Sequence, residues 1–150
     1  MDLATMRTSF EFGQDVNTGL VKELFAEWGK GNFVASAKKI LAKEVVWKTP
    51  WAPDCVGKAA VLKRMEQLAS YMSAVEVDWL TFVSTVDPAS RDKLLVAGER
   101  RDVYKLTDGT EYVVECCCAV KVGRAEIVYI RDYFDPRPLL TEDAVWPPLL

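Results

Sequence analysis

Three ionisable residues in the second half of the chain fall where a strand would turn them toward the core. The segments "GERRDVYKL" (98–106) and "YIRDYFD" (129–135) are both strand-like, and side chains alternate between the two faces of a strand. Arg100 and Asp102 fall on the more apolar face of the first segment, and Asp132 shares the apolar face of the second. The spacing therefore predicts one guanidinium and two carboxylates that face inward together.

Such a trio offers a specific chemistry. Two carboxylates near one Arg need not have equal pKa values, because repulsion and burial raise one while the Arg and hydrogen bonds keep the other ionised. The result is a base beside an acid at neutral pH, a pair suited to opening a strained C–O bond without a covalent intermediate or a cofactor. Because burying charges costs several kcal/mol, a purely structural Arg–Asp pairing is the weaker of two open interpretations.

Length and composition limit the number of domains and the classes of function that the chain can have. With 150 residues, 50% of them hydrophobic and 27% charged, the chain is expected to form one domain over 1–150. The net charge is -3 and no block of like charges stands out, so the sequence shows no basic patch of the kind that binds nucleic acid or an anionic membrane. The apolar runs are too short for a membrane span, and the start "MDLATMRTSFEFGQD" has no signal-peptide pattern. We therefore expect a cytoplasmic protein.

The chain contains no histidine, which excludes Ser-His-Asp and Cys-His catalysis and removes the commonest metal ligand. Its cysteines are Cys55 and the run 116–118. Three consecutive cysteines on a strand alternate faces and cannot chelate one metal as paired C-x-x-C motifs do. We expect small buried side chains and no metal site.

The hydrophobic period changes along the chain from helical to alternating. Asn17 could cap a helix over 18–29, a short second helix ends at residue 40 or 41, and a third covers 58–72. Strands are predicted for "VVWKTP", which ends at Pro50, and for 75–86, 93–106, 111–122 and 125–134, with a loop over 51–57. This order predicts an α+β fold with helices on one face of a curved sheet that encloses a cavity. Tyr104, Cys116 and Phe134 lie on inward faces, where they either line that cavity or belong to the core.

At these residues the chain resembles the limonene-1,2-epoxide hydrolase family of the NTF2-like or SnoaL-like fold group. That family has an Arg-x-Asp on one strand and an Asp within an "RDYFD"-like segment on a later strand, which correspond to Arg100, Asp102 and Asp132. The stretch "LAKEVVWKTPWAPDCVG" (41–57) is similar to the family's strand and proline-rich loop, and the likeness covers about residues 18–136.

The resemblance implies an NTF2-like cone, in which a curved mixed or antiparallel sheet packs against three N-terminal helices around an apolar cavity. It also implies one-step hydrolysis of a small apolar epoxide, with Asp132 as the base that activates water and Asp102 as the acid. Arg100 would bridge the two carboxylates. A relative of this kind needs no metal or cofactor and is commonly a homodimer.

The chain departs from the family at Trp47 and Thr49, where a Tyr and an Asn help the Asp to position water. An indole is only a donor, and Thr is shorter than Asn. A substrate hydroxyl could then replace water, giving an epoxide-opening cyclase or isomerase of a polyketide or terpenoid pathway. A non-catalytic binding module is a third possibility. Trp47 and Trp51 could line the pocket mouth or pack in the core, and the tail "VWPPLL" could cover the cavity or pack at a dimer interface.

Overall fold

The order of helices and strands follows the change in hydrophobic period. The structure is a computed structural model that describes the backbone of residues 3–50 and 52–136 and the side chains of 16–50 and 52–136. Its elements are α1 (Leu3–Gly29), α2 (Phe33–Ile40), β1 (Leu41–Thr49), β2 (Ala52–Val56), α3 (Lys58–Tyr71), β3 (Met72–Trp79), β4 (Val83–Asp87), β5 (Ser90–Leu106), β6 (Glu111–Gly123) and β7 (Glu126–Tyr133). Trp51 and the "VWPPLL" tail lie outside the described residues.

The strands form one open sheet in the order β2-β1-β7-β6-β5-β3, and β4 also pairs with β5. β1 and β7 are parallel, whereas the other pairs are antiparallel, so the sheet is mixed. The sheet is curved and unclosed, and the three helices pack against it. The predicted α+β architecture is confirmed.

The core lies between the helices and the sheet. Val21, Leu24, Phe25 and Trp28 form the buried stripe of α1, as its spacing predicts. α3 contributes a second stripe of Val61, Met65 and Leu68. None of the helices in the described ranges combines the length and hydropathy needed to cross a membrane.

Three predicted elements have clearly different bounds in the structure: the first helix, the loop over 51–57 and the strand over 75–86. Asn17 does not cap α1 but lies inside it, since no proline interrupts the chain between Leu3 and Gly29. The predicted loop 51–57 contains β2, which pairs with β1 through Trp47 and Cys55. β2, which contains Pro53, lies at the edge of the sheet, where a proline within a strand is tolerated.

The strand predicted over 75–86 is interrupted at residues 80–82, so that β3 and β4 pair separately with β5. Leu80 and Thr81 both donate their backbone N–H to the Glu99 carbonyl, at 2.9 and 3.3 Å. This interruption brings the Trp79 ring and the Thr81 carbonyl over Gly98. A Cβ on Gly98 would lie 2.3 Å from the Thr81 oxygen and 2.9 Å from the Trp79 ring. Position 98, two residues before Arg100, therefore requires glycine.

We predict that Gly98→Ala lowers the free energy of unfolding by about 1–3 kcal/mol, because the added methyl group overlaps a backbone oxygen. Gly19→Ala is the matched control, since nothing lies within 4 Å of a Cβ there. In the helix, alanine should raise the same quantity by about 0.5–1 kcal/mol. Urea denaturation measures both variants. Equal stability of Gly98→Ala and the wild type would contradict the close approach of residues 79–81 to β5.

Candidate active site

Three neighbouring strands bring the predicted trio onto one face of the sheet. Arg100 and Asp102 lie on β5, where Arg100 pairs with Cys116 of β6. Asp132 lies on β7 and pairs with Cys118, two residues along β6. Because side chains at i and i+2 share a face, all of these side chains point the same way, and the long Arg100 side chain spans the step between them.

Arg100 contacts both carboxylates. Its Nε donates to Asp102 Oδ1 at 3.0 Å and to Oδ2 at 3.1 Å. Its Nη2 lies 3.0 Å from Asp102 Oδ2 and 3.1 Å from Asp132 Oδ1. The three residues are only 4%, 1% and 7% exposed, in the order Arg100, Asp102 and Asp132. One guanidinium thus serves two buried carboxyl groups, so the trio is electrically neutral only when one of them holds a proton.

Burial raises the pKa of the Asp102 carboxyl above its ordinary value, although the Arg100 guanidinium opposes the shift. Burial also opposes the charge of Arg100, but the Asp132 and Asp102 carboxylates outweigh it and raise the Arg100 pKa well above its ordinary value. Arg100 is therefore a permanent cation, and Asp102 is suited to hold the proton.

Two aromatic rings pack near the Arg100 guanidinium. The Arg100 Cζ lies 4.3 Å from the centre of the Phe25 ring and 5.9 Å from the Trp79 ring. A cation over the face of an aromatic ring is attracted by the ring quadrupole. These contacts help to hold the guanidinium in place, and Arg100 is buried.

Asp132 accepts hydrogen bonds from two side chains and forms an ion pair with a third. The Trp47 indole Nε1 donates to Oδ2 at 3.0 Å. Arg100 and the Cys116 thiol both contact Oδ1, the thiol at 3.6 Å. The Trp47 bond depends on the parallel pairing of β1 with β7. In the sequence, Trp47 stands where the resembling family has a Tyr, and its hydrogen bond to Asp132 was not predicted.

Asp102 has one further partner that the sequence did not reveal. The Tyr104 hydroxyl donates to Asp102 Oδ2 at 3.1 Å. Tyr104 was expected only to line the cavity or to pack in the core. The available signal was the i, i+2 spacing, which places both side chains on one face of β5.

The trio forms part of the wall of a cavity between the helices and the sheet. Every site residue singled out from the sequence lines it, and the structure adds three that were not singled out. The lining comprises Trp28, Trp47, Thr49, Leu68, Arg100, Asp102, Tyr104, Val114, Cys116, Asp132 and Phe134. Apart from the trio, most of these side chains are aromatic or aliphatic, so the cavity suits a largely apolar molecule.

Three polar atoms of the lining residues are buried without a hydrogen-bond partner among the described residues, and one of them is the Arg100 Nη1. The other two belong to uncharged side chains and are the Trp28 Nε1 and the Thr49 Oγ1. In the parallel pairing of β1 with β7, Lys48 lies opposite Arg131, and the next residues along the two strands are Thr49 and Asp132. An unpaired buried polar atom costs free energy, so Thr49 can supply a hydrogen bond to water or ligand beside Asp132.

The cysteines behave as the strand alternation predicts, since Cys116 and Cys118 are buried and Cys117 is exposed. Burial raises the pKa of the Cys116 thiol and raises that of Cys118 to about 12. A neutral thiol is a poor nucleophile. Cys116 therefore shapes the cavity and donates a weak hydrogen bond to Asp132.

No protein-family model matches the chain, and a search of curated proteins finds no match. Solved structures do match. An LEH-like epoxide hydrolase from M. tuberculosis has a TM-score of 0.67 at 15% identity, over 83% of this chain and 86% of that one. A proposed SnoaL-like polyketide cyclase from Jannaschia sp. CCS1 has a TM-score of 0.65 at 15% identity, over 90% and 94%.

A third match is an NTF2-like protein of unknown function from Burkholderia pseudomallei, with a TM-score of 0.64 at 16% identity, over 83% of this chain and 95% of that one. At these identities the likeness concerns the fold and not the activity. The neighbours include both epoxide-opening and cyclising proteins. The chain therefore has an NTF2-like, SnoaL-like fold.

Proposed function

We propose that the protein is a cofactor-independent epoxide hydrolase in which Asp132 is the general base, Asp102 the general acid and Arg100 the bridge between them. The observation that carries the proposal is the buried Arg100, which contacts one oxygen of Asp132 and both oxygens of Asp102 beside an apolar cavity. A cation shared by two carboxyl groups can keep one ionised while the other holds a proton, which supplies a proton acceptor and a proton donor side by side.

In the proposed step, Asp132 takes a proton from water while the water oxygen forms a bond to one epoxide carbon. The bond between that carbon and the epoxide oxygen breaks, and Asp102 gives its proton to the leaving oxygen. The product is a diol, with Asp132 protonated and Asp102 ionised. Transfer of one proton between the carboxyl groups restores the starting state.

The charge distribution favours this exchange. Before and after the step the trio holds one guanidinium, one carboxylate and one carboxylic acid, so its net charge does not change. Arg100 already contacts Asp102 Oδ2 at 3.0 Å and Asp132 Oδ1 at 3.1 Å. Whichever carboxyl group is ionised is therefore paired with Arg100, and no charge separation within the trio accompanies the reaction.

The nucleophilic water needs a second support besides Asp132. Thr49 lines the same cavity, and its buried Oγ1 has no partner among the described residues. Trp47 donates to Asp132 Oδ2 at 3.0 Å and so orients the carboxylate. We propose that Thr49 and Asp132 hold the water together, while the aromatic walls hold a small or mid-sized apolar epoxide.

A second candidate function is an epoxide-opening cyclase or isomerase that uses a substrate hydroxyl in place of water. The Trp47 indole favours it, because it occupies one acceptor position of Asp132 and cannot itself accept a hydrogen bond from water. The same base and acid would act, and the product would be a cyclic ether.

The two functions differ in their products. The wild-type protein is offered a panel of apolar epoxides and of epoxides that carry a hydroxyl within reach of the ring, and the products are identified by mass spectrometry. A hydrolase gives diols from both groups. Cyclic ethers from the hydroxylated group alone would favour the cyclase. Turnover of neither group would favour a non-catalytic binding module, in which the trio only joins the strands.

A further inference from the structure

Tyr104 stands beside the proposed acid and shares its cavity. It follows Asp102 by two residues on β5, and its side chain lines the cavity that Asp102 faces. Its hydroxyl donates to Asp102 Oδ2 at 3.1 Å. Burial raises the pKa of the Tyr104 phenol well above its ordinary value, so the hydroxyl keeps its hydrogen and acts as a donor.

The donors around Asp102 are unevenly shared between its two oxygens. Oδ2 accepts from Tyr104 and from both Nε and Nη2 of Arg100. Among the described residues, Oδ1 accepts a hydrogen bond from Arg100 Nε alone, at 3.0 Å. A carboxyl oxygen surrounded by donors has little room for a hydrogen of its own. The acidic hydrogen of Asp102 therefore belongs on Oδ1, and Oδ2 is held as the acceptor.

We propose that Tyr104 is a positioning residue for the acid step: its hydroxyl stabilises the carboxylate that forms on Asp102 when Oδ1 releases its hydrogen to the substrate oxygen. This inference rests on the proposed function, since it assumes that Asp102 donates a proton. The hydrogen bond strengthens as Asp102 becomes charged, because hydrogen bonds to ionised acceptors are stronger than those to neutral ones. Tyr104 therefore favours the transition state over the ground state.

The groups that can alter the ionisation of Asp102 are few. Among the described residues, Arg100 and Tyr104 of β5 and Asp132 of β7 interact with it, as do Cys116 and Cys118 of β6. Burial raises the pKa of Cys118 to about 12, so this thiol is neutral. The neighbours from the other packed elements, Leu68 of α3 and Val77 of β3, are uncharged. Burial keeps Cys116 a neutral thiol. A change in the ionisation of Asp102 on removal of the phenol can therefore be assigned to the lost hydrogen bond.

Tyr104→Phe tests the inference, because it removes the hydroxyl and keeps the ring. We expect kcat for epoxide opening to fall about tenfold with KM nearly unchanged. The alkaline limb of the pH profile should move up by about one pH unit. The sign follows from the lost donor: without it the carboxylate is harder to form, the Asp102 pKa rises, and the acid keeps its proton to higher pH. A lower kcat with an unmoved alkaline limb would overturn the inference.

Tyr112→Phe is the matched control. Tyr112 pairs with Tyr104 across β5 and β6 and packs against the same core, but it does not line the cavity with Asp102. The same loss of one hydroxyl should leave both kcat and the alkaline limb as in the wild type. A shift of the limb in Tyr112→Phe equal to that in Tyr104→Phe would also overturn the inference.

A second readout does not depend on catalysis. The Asp102 carboxyl can be titrated by ¹³C NMR in the free protein, with Asp102→Asn identifying its signal. Tyr104→Phe should raise the Asp102 pKa by about one unit. An unchanged pKa overturns the inference whatever reaction the protein catalyses. A raised pKa in a protein that opens no epoxide would support the Tyr104–Asp102 coupling and overturn the proposed function.

Discussion

Replacing Asp132 by Asn should lower kcat for epoxide opening by about 10²–10⁴-fold, the range that general acid–base catalysis contributes. Asn keeps the size and shape of Asp, and its amide oxygen can still accept from one of the two donors, Trp47 on Oδ2 at 3.0 Å or Arg100 on Oδ1 at 3.1 Å. The amide cannot take a proton from water. The variant is therefore expected to fold and to bind the epoxide with little change in KM. Steady-state kinetics measure both quantities.

Asp135→Asn is the matched control for this prediction. It makes the same chemical change three residues away, at an exposed position beyond the end of β7. Its kcat should stay within about twofold of the wild type, as expected for a surface change. Comparable losses in the two variants would show that Asp132 is not the base.

Arg100→Ala should lower the free energy of unfolding by about 3–5 kcal/mol at pH 7, more than either Asp102→Asn or Asp132→Asn. The change leaves two buried carboxyl groups, 1% and 7% exposed, without their shared cation. It also removes the side chain that packs on Phe25 at 4.3 Å. Urea denaturation of the four proteins gives the comparison.

Arg101→Ala is the control for this second prediction, because the neighbouring Arg101 is exposed on the opposite face of β5. It should change the free energy of unfolding by less than about 0.5 kcal/mol. A small effect of Arg100→Ala, equal to that of Arg101→Ala, would contradict the burial of the trio.

The deficit of Arg100→Ala should also depend on pH. Burial raises the Asp102 pKa in the folded protein, and loss of the opposing guanidinium raises it further. A group with a raised folded pKa stabilises the fold below its unfolded pKa and loses that contribution as pH rises through the folded value. The deficit should therefore shrink as pH falls toward about 4, near the ordinary Asp pKa. A deficit independent of pH would mean that it comes from packing alone.

The alternation of side chains allowed the trio to be predicted from the sequence, because it depends on only one strand at a time. Arg100 and Asp102 share a face by their spacing, and Asp132 falls on an apolar face by the same count. The burial of all three agrees with that count. Periodicity also placed α2, α3 and the long strands β5, β6 and β7 close to their observed bounds.

Contacts between strands could not be predicted in the same way. The Trp47–Asp132 hydrogen bond joins positions 85 residues apart and requires the parallel β1–β7 register. The interruption at residues 80–82 depends on two backbone hydrogen bonds to Glu99. Neither leaves a periodic signal in the local sequence, because both are determined by the partner strand. The sequence therefore predicted the charged residues of the site but not the partners that orient them.

Tyr104 shows the same limit at the scale of one side chain. Its spacing from Asp102 places both on one face, and a tyrosine on an inward face is equally typical of ordinary core packing. Only the position of the hydroxyl, 3.1 Å from Asp102 Oδ2, separates the two roles. Side-chain geometry of this kind depends on how the whole cavity packs.

The most direct test of the proposed reaction is a single turnover with excess enzyme in ¹⁸O-labelled water. If Asp132 activates water in one step, the first diol formed carries the label, and the Asp132 carboxylate stays unlabelled. An unlabelled first diol would mean that a carboxylate oxygen attacked the epoxide, and an unlabelled cyclic ether would mean that a substrate hydroxyl did so. Either result would contradict the role proposed here for Asp132 as the base that activates water.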